Sequence, residues 1–561
     1  MTKTINPKTI AHSLVTLATF LLILGNVYLV KNVDVFGTPL LFAVGLIVEL
    51  ILIVIFAYSL VRALETPLHI LGSILESAWG GILTNLYIKQ LKKTNTRLIR
   101  WLTSRLDYKN PYGLILSFGV AVSLIFLIGF IGILKAVWLH QPLTSIDTRV
   151  VNLMPTIRTP LQTSFFRFMT FTANSEAVLI LVLLTGAILW RKRQPVMAGL
   201  LIAIVAVEET VGYVLKHLVE RIRPEQYLSL YKEDGFSFPS GHVLRATVLF
   251  GVISYLLYRS FKSSILRLGI IVGYIISVSL VALSRVYLGV HYPSDTLASI
   301  LIGASLLTLI ITAIEITIRY GIWGQSSNDF NNKLLAFVPV VIVVFSIFAS
   351  PILIHLTPMS TTPVFTTIDS LNKTNLKKLP LYSETLTGKT MEPINFIYIG
   401  SEQQIEQVFL SHGWYKADPS TLSNTLKALS IGFQGHQYLK APVTPSYLAA
   451  KPENIAFQKP TQSNTLRQRH HTRLWRTKYR LPNSREIWVG TASFDEGIEF
   501  AGPAKLPTHH IDPNIDAERS YIVGSLGLEN VSYLQVVNAQ AGQNASGDVF
   551  FTDGKAAMVK L

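Results

Sequence analysis

The sequence predicts an all-α polytopic membrane protein that ends in an α+β domain, and three observations predict it. First, the 561 residues are 50% hydrophobic and only 15% charged, with a mean hydropathy of +0.42. A soluble chain of ordinary composition carries roughly a quarter charged residues. Second, the apolar residues are gathered into blocks long enough to cross a bilayer as helices. Third, hydropathy falls from about Leu356 onward, and mixed helix and strand patterning replaces the blocks. With no cysteine, disulfides, thiolate nucleophiles and thiolate metal sites are excluded.

Taken in order, the apolar runs predict nine spans. They cover roughly Ile10–Val30, Pro39–Val61, Gly113–Lys135, Glu176–Trp190, Val196–Leu215, Gly241–Tyr258, Ile265–Leu283, Thr296–Ile318 and Leu335–Ile354. The first run lacks a small-residue cleavage site and is long for a signal peptide, so it reads as an anchor. The segment from about Leu64 to Asn110 is too polar to span and reads as a basic interfacial connector. Lys89, Lys92, Lys93, Arg97, Arg100, Arg105 and Lys109 precede the third span, Arg191-Lys192-Arg193 follow the fourth, and Arg259, Lys262 and Arg267 flank the turn after the sixth. The positive-inside rule puts these on one side if the N-terminus is cytoplasmic, which leaves the region beyond Leu356 outside. The formal net charge of +16 suits a chain beside anionic lipid.

Three short stretches carry the chemistry: Lys216…Arg223-Pro224, Pro239-Ser240-Gly241-His242, and Ser284-Arg285…His291…Asp295. The same threading places all three at outer helix ends, so Lys216, Arg221, Arg223 and Arg285 run against the positive-inside bias and want another explanation. A phosphate monoester or diphosphate needs cations and directed N–H groups, and helix N-termini add both free donors and a favourable dipole. Ser240 is a good N-cap type, Gly241 permits close backbone approach, and Pro293 suits a first helical position. His291 and Asp295 are four apart at a helix entry, so the carboxylate can fix the imidazole tautomer and leave the other ring nitrogen as nucleophile. His242 is then the available acid and base.

These stretches meet every position of the pattern K-x6-R-P, P-S-G-H and S-R-x5-H-x3-D, and the chain resembles the type 2 phosphatidic acid phosphatase superfamily. The resemblance spans roughly Gly113 to Ile318, the family's usual six-helix core, and leaves about three additional spans. It implies a metal-independent phosphohistidine mechanism without cofactor. His291 would be the nucleophile, Asp295 its orienting partner and His242 the general acid. Lys216, Arg223, Ser240, Gly241 and Arg285 would hold the phosphoryl oxygens. The expected partners are a lipid phosphate and the bilayer, with no nucleic acid.

The organisation expected is two N-terminal transmembrane helices (1–64), the basic cytoplasmic connector (65–110), the six-helix core (111–320), a connector with a ninth helix (321–356) and the α+β domain (357–561). Within that last domain, Pro393–Gly400, Glu486–Phe494 and Val531–Ala539 read as strands, Ser401-x-x-Gln404 as a capping box, and Asp553-Gly554 as a hairpin turn. Arg467, Arg469, His471 and Arg473 share one strand face, read as a solvated basic surface, with anion binding as the alternative. His509, His510, Asp512 and Asp516 are metal-ligand types without a metal-site spacing, and read as a turn and helix start. The phrases around Trp414, His470 and Asp512 resemble the LssY-type C-terminal domain.

The expected activity is hydrolysis of a lipid phosphomonoester or diphosphate, of the undecaprenyl diphosphate, phosphatidate or phosphatidylglycerophosphate class, at the extracytoplasmic face of the cytoplasmic membrane. Transfer of the phosphoryl group to a second lipid, or an envelope lipid- or glycan-binding module anchored by the core, are the alternatives. Glu208, Glu209 and Arg245 are ionisable residues inside predicted spans, and such residues are functional candidates by default. Glu209 shares a stripe with Lys216 and reads as steadying it, lining the lipid path or making a structural hydrogen bond. Arg245 reads as adding charge near His242 or snorkelling to the interface.

Overall fold

A computed structural model describes residues 112–319, 333–356, 365–433, 436–463, 468–501, 506–529, 531–545 and 547–561, with isolated residues among 15–110. The first two expected spans and the basic connector otherwise lie outside the described residues. Each expected span from Gly113 onward coincides with a helix. These helices are α1 (Leu114–Trp138), α4 (Ser175–Arg191), α5 (Pro195–Val219), α6 (Gly241–Ser260), α7 (Ser264–Tyr287), α8 (Pro293–Arg319) and α9 (Phe337–Leu353). Between α1 and α4 lie two helices that hydropathy did not reveal, α2 (Pro142–Ile157) and α3 (Pro160–Phe171). The short fourth span is explained by α3: α3 and α4 together pass as one span bent by 47°.

Local chemistry fixes where these helices start and stop. Proline stands at the first or second position of α2, α3 and α5, and Pro293 opens α8. There its missing N–H costs no intrahelical bond. Helix α5 ends at Glu220 in the left-handed region (φ 49°), turning the chain into the loop of Arg221 and Arg223. Helix α7 is followed by Gly289 at φ 79°, where a Cβ would come within 2.2 Å of the Leu228 carbonyl oxygen, so only glycine permits the turn that delivers His291. Helix α6 carries a π-type stretch over Ala246–Phe250, one turn beyond His242. The bundle interior is apolar, built from Phe130, Leu181, Leu201, Leu244, Val248, Leu249 and Ile302 among others. A group of buried polar residues, among them Ser240, Ser284, Arg285, His291 and Asp295, lies at the end where α5 and α7 finish and α6 and α8 begin.

The C-terminal region folds as α+β. Its main sheet runs β7 (Val531–Gln535), β8 (Lys555–Lys560), β1 (Phe396–Ile399), β5 (Glu486–Ala501), β4 (Arg469–Arg480), β3 (Ile455–Pro460) and β2 (Tyr415–Lys416), with β6 (Leu506–Ile511) paired to β5. Helices α10 (Glu402–Ser411) and α12 (Ile515–Ser525) lie in chain order on either side of α11 (Leu422–Phe433). The capping box forms as expected, Ser401 and Gln404 each bonding the other's backbone N–H. Phe396, Tyr398, Phe409, Trp414, Phe457 and Trp488 form the aromatic centre of this domain.

Two expectations change here. Asp553-Gly554 is a turn but not a hairpin, because Val549–Thr552 pairs with Gln540–Gln543 while β8 pairs with β7 and β1. The basic face of β4 is not solvated either. Arg469 and His471 are buried and face Asp495 across the strand pair. Arg467 lies outside the described residues. His510 bonds Asp548 at 2.6 Å, Asp516 accepts from Arg519, Thr552 and the Asp553 amide, and among the described residues no three ligand-type groups converge.

A four-stranded sheet of short segments, among them Tyr382–Glu384, Thr390–Pro393, Tyr447–Leu448 and Lys451–Pro452, faces the membrane core. It meets α2 through Arg149–Glu384 and an Asn152-to-Ala450 bond of 2.8 Å. The C-terminal domain therefore docks at the bundle end that holds the three motif stretches.

Candidate active site

The three stretches, spread over 80 residues of the chain from Lys216 to Asp295, converge. His291 is fully buried between Gly289 and the start of α8. Its Nδ1 lies 3.5 Å from Asp295 Oδ2 and 3.4 Å from Ser237 Oγ, and its Nε2 lies 3.1 Å from Arg223 Nη1. The carboxylate thus lies against one ring nitrogen while the other faces Arg223. Asp295 is itself held from three directions. Arg221 donates to Oδ1 at 2.5 Å, while Ser237 Oγ at 2.5 Å and the Tyr292 amide at 3.0 Å donate to Oδ2. Burial pushes the His291 imidazole down to about 4; Asp295 and Glu233 work against that shift, while Arg223 and Arg285 add to it. The ring is neutral near pH 7, as a nitrogen nucleophile must be.

Of the groups expected to bind an anion, Arg223 contacts Nε2, and Arg285 reaches it through Glu233. Arg223 is anchored by Nε to the Gly235 carbonyl at 3.0 Å and by Nη1 to the Val290 carbonyl at 2.9 Å. Arg285 is fully buried, donating from Nη1 to Thr170 Oγ1 at 2.7 Å and to the Tyr231 hydroxyl. Lys216, half-buried on the last turn of α5, lies within electrostatic reach of Arg223, Arg285 and Glu233. Ser240 precedes α6 as expected but makes no capping bond; among the described residues its buried Oγ has no hydrogen-bond partner. The space where a Gly241 Cβ would project is open. An orphaned buried hydroxyl beside open space at a helix start is costly unless a ligand uses it.

Sequence reasoning missed five participants. Glu233, on the loop between Arg223 and Ser240, occupies the cationic pocket. Its carboxylate accepts from Arg285 Nη2 and, at 3.3 Å, from Arg223 Nη2, and stands 4.0 Å from His291 Nε2. Burial works to raise its pKa, but Arg285, the two histidines and Arg223 hold it well below the ordinary carboxylate range. Asn174, at the α3–α4 bend, bonds His242. Its Nδ2 donates to Glu176 at 2.6 Å, so its Oδ1 accepts from His242 Nε2–H at 2.9 Å, leaving Nδ1 to exchange protons. Ser237, Arg221 and Asp147 complete the support of Asp295. Arg221 donates to Asp147 at 2.8 Å, and Asp147 takes the Ser294 amide at 2.9 Å. Only Arg221 had a signal, as a basic residue against the positive-inside bias.

Of the intramembrane ionisable residues, Arg245 pairs with Glu209 at 2.5 Å and lies 4.0 Å from Glu208, so Glu209 braces Arg245 and not Lys216. A cavity of about 540 Å³ opens beside the site, lined by Arg223, Glu225, Tyr231, Glu233, Phe236 and Val290 among others.

The PAP2 superfamily model matches residues 197–319, and the LssY C-terminus model matches residues 376–556. The chain is 32% identical over 183 residues to phosphatidylglycerophosphatase B of Bacillus subtilis (strain 168), covering 32% of this chain and 89% of that protein. It is 39% identical over 90 residues to a phosphatidylglycerophosphatase B of Haemophilus influenzae, covering 15% and 36%. It is also 36% identical over 98 residues to an undecaprenyl-diphosphatase of Sulfolobus acidocaldarius, covering 17% and 43%. A crystal structure of a PAP2-type phosphatidylglycerolphosphate phosphatase from Bacillus subtilis aligns at 27% identity and TM-score 0.33, covering 35% of this chain and 96% of that one. With the motif stretches inside the matched region and the first relative aligned over most of its length, the chain belongs to the PAP2 superfamily.

Proposed function

We propose that the chain is a lipid phosphatase that removes the terminal phosphate of a lipid phosphomonoester or diphosphate through a phosphohistidine on His291, at the extracytoplasmic face. The observation that carries this reading is the double constraint on His291, with Nδ1 against Asp295 and Nε2 against Arg223, beside Glu233 and Arg285. The names of the matched relatives favour phosphatidylglycerophosphate and undecaprenyl diphosphate within that class.

The steps follow from the geometry. A phosphoryl group entering the pocket displaces Glu233 and takes over the donors of Arg223 and Arg285, with the Ser240 hydroxyl and the α6 amides completing its shell. Transfer of Arg223 Nη1 to a phosphoryl oxygen frees the Nε2 lone pair. Nε2 attacks phosphorus as the bond to the lipid oxygen breaks, and His242, having taken a proton on Nδ1 from the bound phosphate monoanion, passes it to that oxygen. His242, now neutral, takes a proton from water as that water attacks the phosphohistidine, releasing inorganic phosphate and restoring His291. Asp295 stabilises the charge that develops on the ring.

The test is phosphate release from phosphatidylglycerophosphate, undecaprenyl diphosphate and phosphatidate by the purified full chain, with chelator present, beside His291→Ala and His242→Ala. Release that persists in chelator and disappears in His291→Ala supports the reading. Release that survives His291→Ala, or that needs added divalent metal, sinks it.

A further inference from the structure

We infer that the C-terminal domain is a positioning element of the active site, acting through helix α2, with Asp147 and Arg221 as the positioning residues that hold Asp295. The inference rests on the catalytic reading above. Its first observation is that one short helix serves two masters. Asp147 is 1% exposed and faces the bundle, where it holds Arg221 at 2.8 Å and the Ser294 amide at 2.9 Å. Arg221 in turn grips Asp295 at 2.5 Å and stacks 4.2 Å above the Tyr292 ring. Residues two apart on a helix point about 200° apart, while residues three apart share a face. Arg149 and Asn152 accordingly point away from Asp147, to the C-terminal domain. Arg149 pairs with Glu384, and Asn152 Nδ2 donates to the Ala450 carbonyl at 2.8 Å.

The second observation is that the domain's contact surface is shaped for this helix. Gly388 has φ 80° and lies over the Arg149 guanidinium, where a Cβ would come within 3.0 Å of it. Ala449 and Ala450 form the two-residue loop between Tyr447–Leu448 and Lys451–Pro452, both in the left-handed region (φ 48° and 64°). Such loops normally use Asn-Gly, because a side chain disfavours positive φ. Here two alanines hold it, and the second delivers its carbonyl to Asn152. Backbone held in a disfavoured conformation persists where surrounding contacts over-determine it. Next to the loop, the Lys451 ammonium lies 5.9 Å above the Tyr227 ring, on the loop that also carries Glu225 and Glu233 at the cavity.

The route is therefore continuous: Glu384 and Ala450 fix α2, Asp147 on α2 fixes Arg221 and Ser294, and these fix the carboxylate that orients His291. Small displacements of a catalytic group cost rate and leave substrate affinity largely intact. The domain holds the nucleophile's carboxylate in register from outside the bundle.

The experiment is a charge-swap cycle in the full chain, with kcat and KM for lipid phosphate release and the melting temperature measured together. Arg149→Glu and Glu384→Arg are each expected to lower kcat about 5- to 10-fold with KM within about twofold, and the double swap to recover to within about twofold of wild type. Asp147→Asn is expected to lower kcat about 10-fold or more, again with KM nearly unchanged. Wild-type kcat in both single swaps, or losses that the double swap does not recover, would overturn the inference. His291→Ala run alongside reports separately on the catalytic reading. Should wild type release no phosphate from any lipid, that reading fails, and the rise in melting temperature with orthovanadate is read instead. A rise present in wild type, lost in each single swap and regained in the double supports the coupling; an equal rise in all four overturns it.

Discussion

Two buried clusters in this chain use the same residue types to opposite ends. In the membrane core, Arg223, Arg285, His291, Asp295 and Ser237 come together; in the C-terminal domain, Arg469, Arg473, His471, Asp495 and Ser493 do. The second even has a Ser–His–Asp order, with Ser493 Oγ 3.1 Å from His471 Nε2 and His471 Nδ1 3.2 Å from Asp495. Burial pushes both histidines down to about 4. What separates the clusters is where their donors point. In both an arginine donates into the histidine Nε2, Arg473 to His471 and Arg223 to His291, but in the C-terminal cluster Arg469 serves Asp495 and Gln458. In the core, Arg223 and Arg285 converge on a single displaceable carboxylate, next to an unpartnered Ser240 hydroxyl and open space above Gly241. A perturbed pKa marks both, so geometry and unspent donors distinguish a site from a polar core.

That contrast is open to direct test. The largest effect is expected at Arg285. Replacing it with Ala removes a buried cation from the phosphate pocket and should lower kcat/KM by about 10³-fold, whereas Arg469→Ala should leave kcat within about tenfold while lowering stability by about 3 kcal/mol as Asp495 loses the Arg469 guanidinium. Equal catalytic losses at the two arginines would erase the contrast.

Next comes pH. On the proposed mechanism His291 attacks only when neutral, and burial lowers its ordinary value of 6.5 to about 4 against the opposing pull of Asp295 and Glu233. The sign is therefore that kcat/KM, corrected for titration of the substrate phosphate, holds as pH falls through 6.5 and declines about tenfold per unit below about 4. An acid limb centred near 6.5 would contradict the buried, neutral nucleophile.

A smaller effect is expected at Glu233. Its carboxylate competes with phosphate for Arg223 and Arg285, so Glu233→Gln should lower KM about three- to tenfold. A raised KM would mean that the carboxylate helps bind substrate. The smallest catalytic effect belongs to His471. His471→Ala should leave kcat within about twofold while costing about 1–3 kcal/mol of stability, read from the melting transition. A large loss of activity with unchanged melting would make the second cluster functional.

Much of the core site was legible in the sequence because its residues sit at fixed offsets from helix ends. His291 and Asp295 are one turn apart, Gly241 opens α6, and Arg285 ends α7, so hydropathy and spacing together located them. The supporting residues obey no such spacing. Asp147 lies 74 residues from Arg221, on a helix too short and amphipathic to register as a span, and Asn174 meets His242 across 68 residues. Glu233 gave no signal because a carboxylate in a loop rich in Lys232, Asp234 and Gly235 reads as solvated. In the C-terminal domain, strand and cap positions followed local patterning. The burial of β4's basic face did not, since it depends on Asp495 from the neighbouring strand.

The most direct measurement of the central claim is to quench the full chain, turning over a lipid substrate labelled in its terminal phosphate, and to locate the label under alkaline conditions that preserve phosphohistidine. The predicted result is label on the peptide containing His291, retained longer in His242→Ala, where water is poorly activated, and absent in His291→Ala. Label on another residue, or full turnover with His291 replaced, would contradict the account.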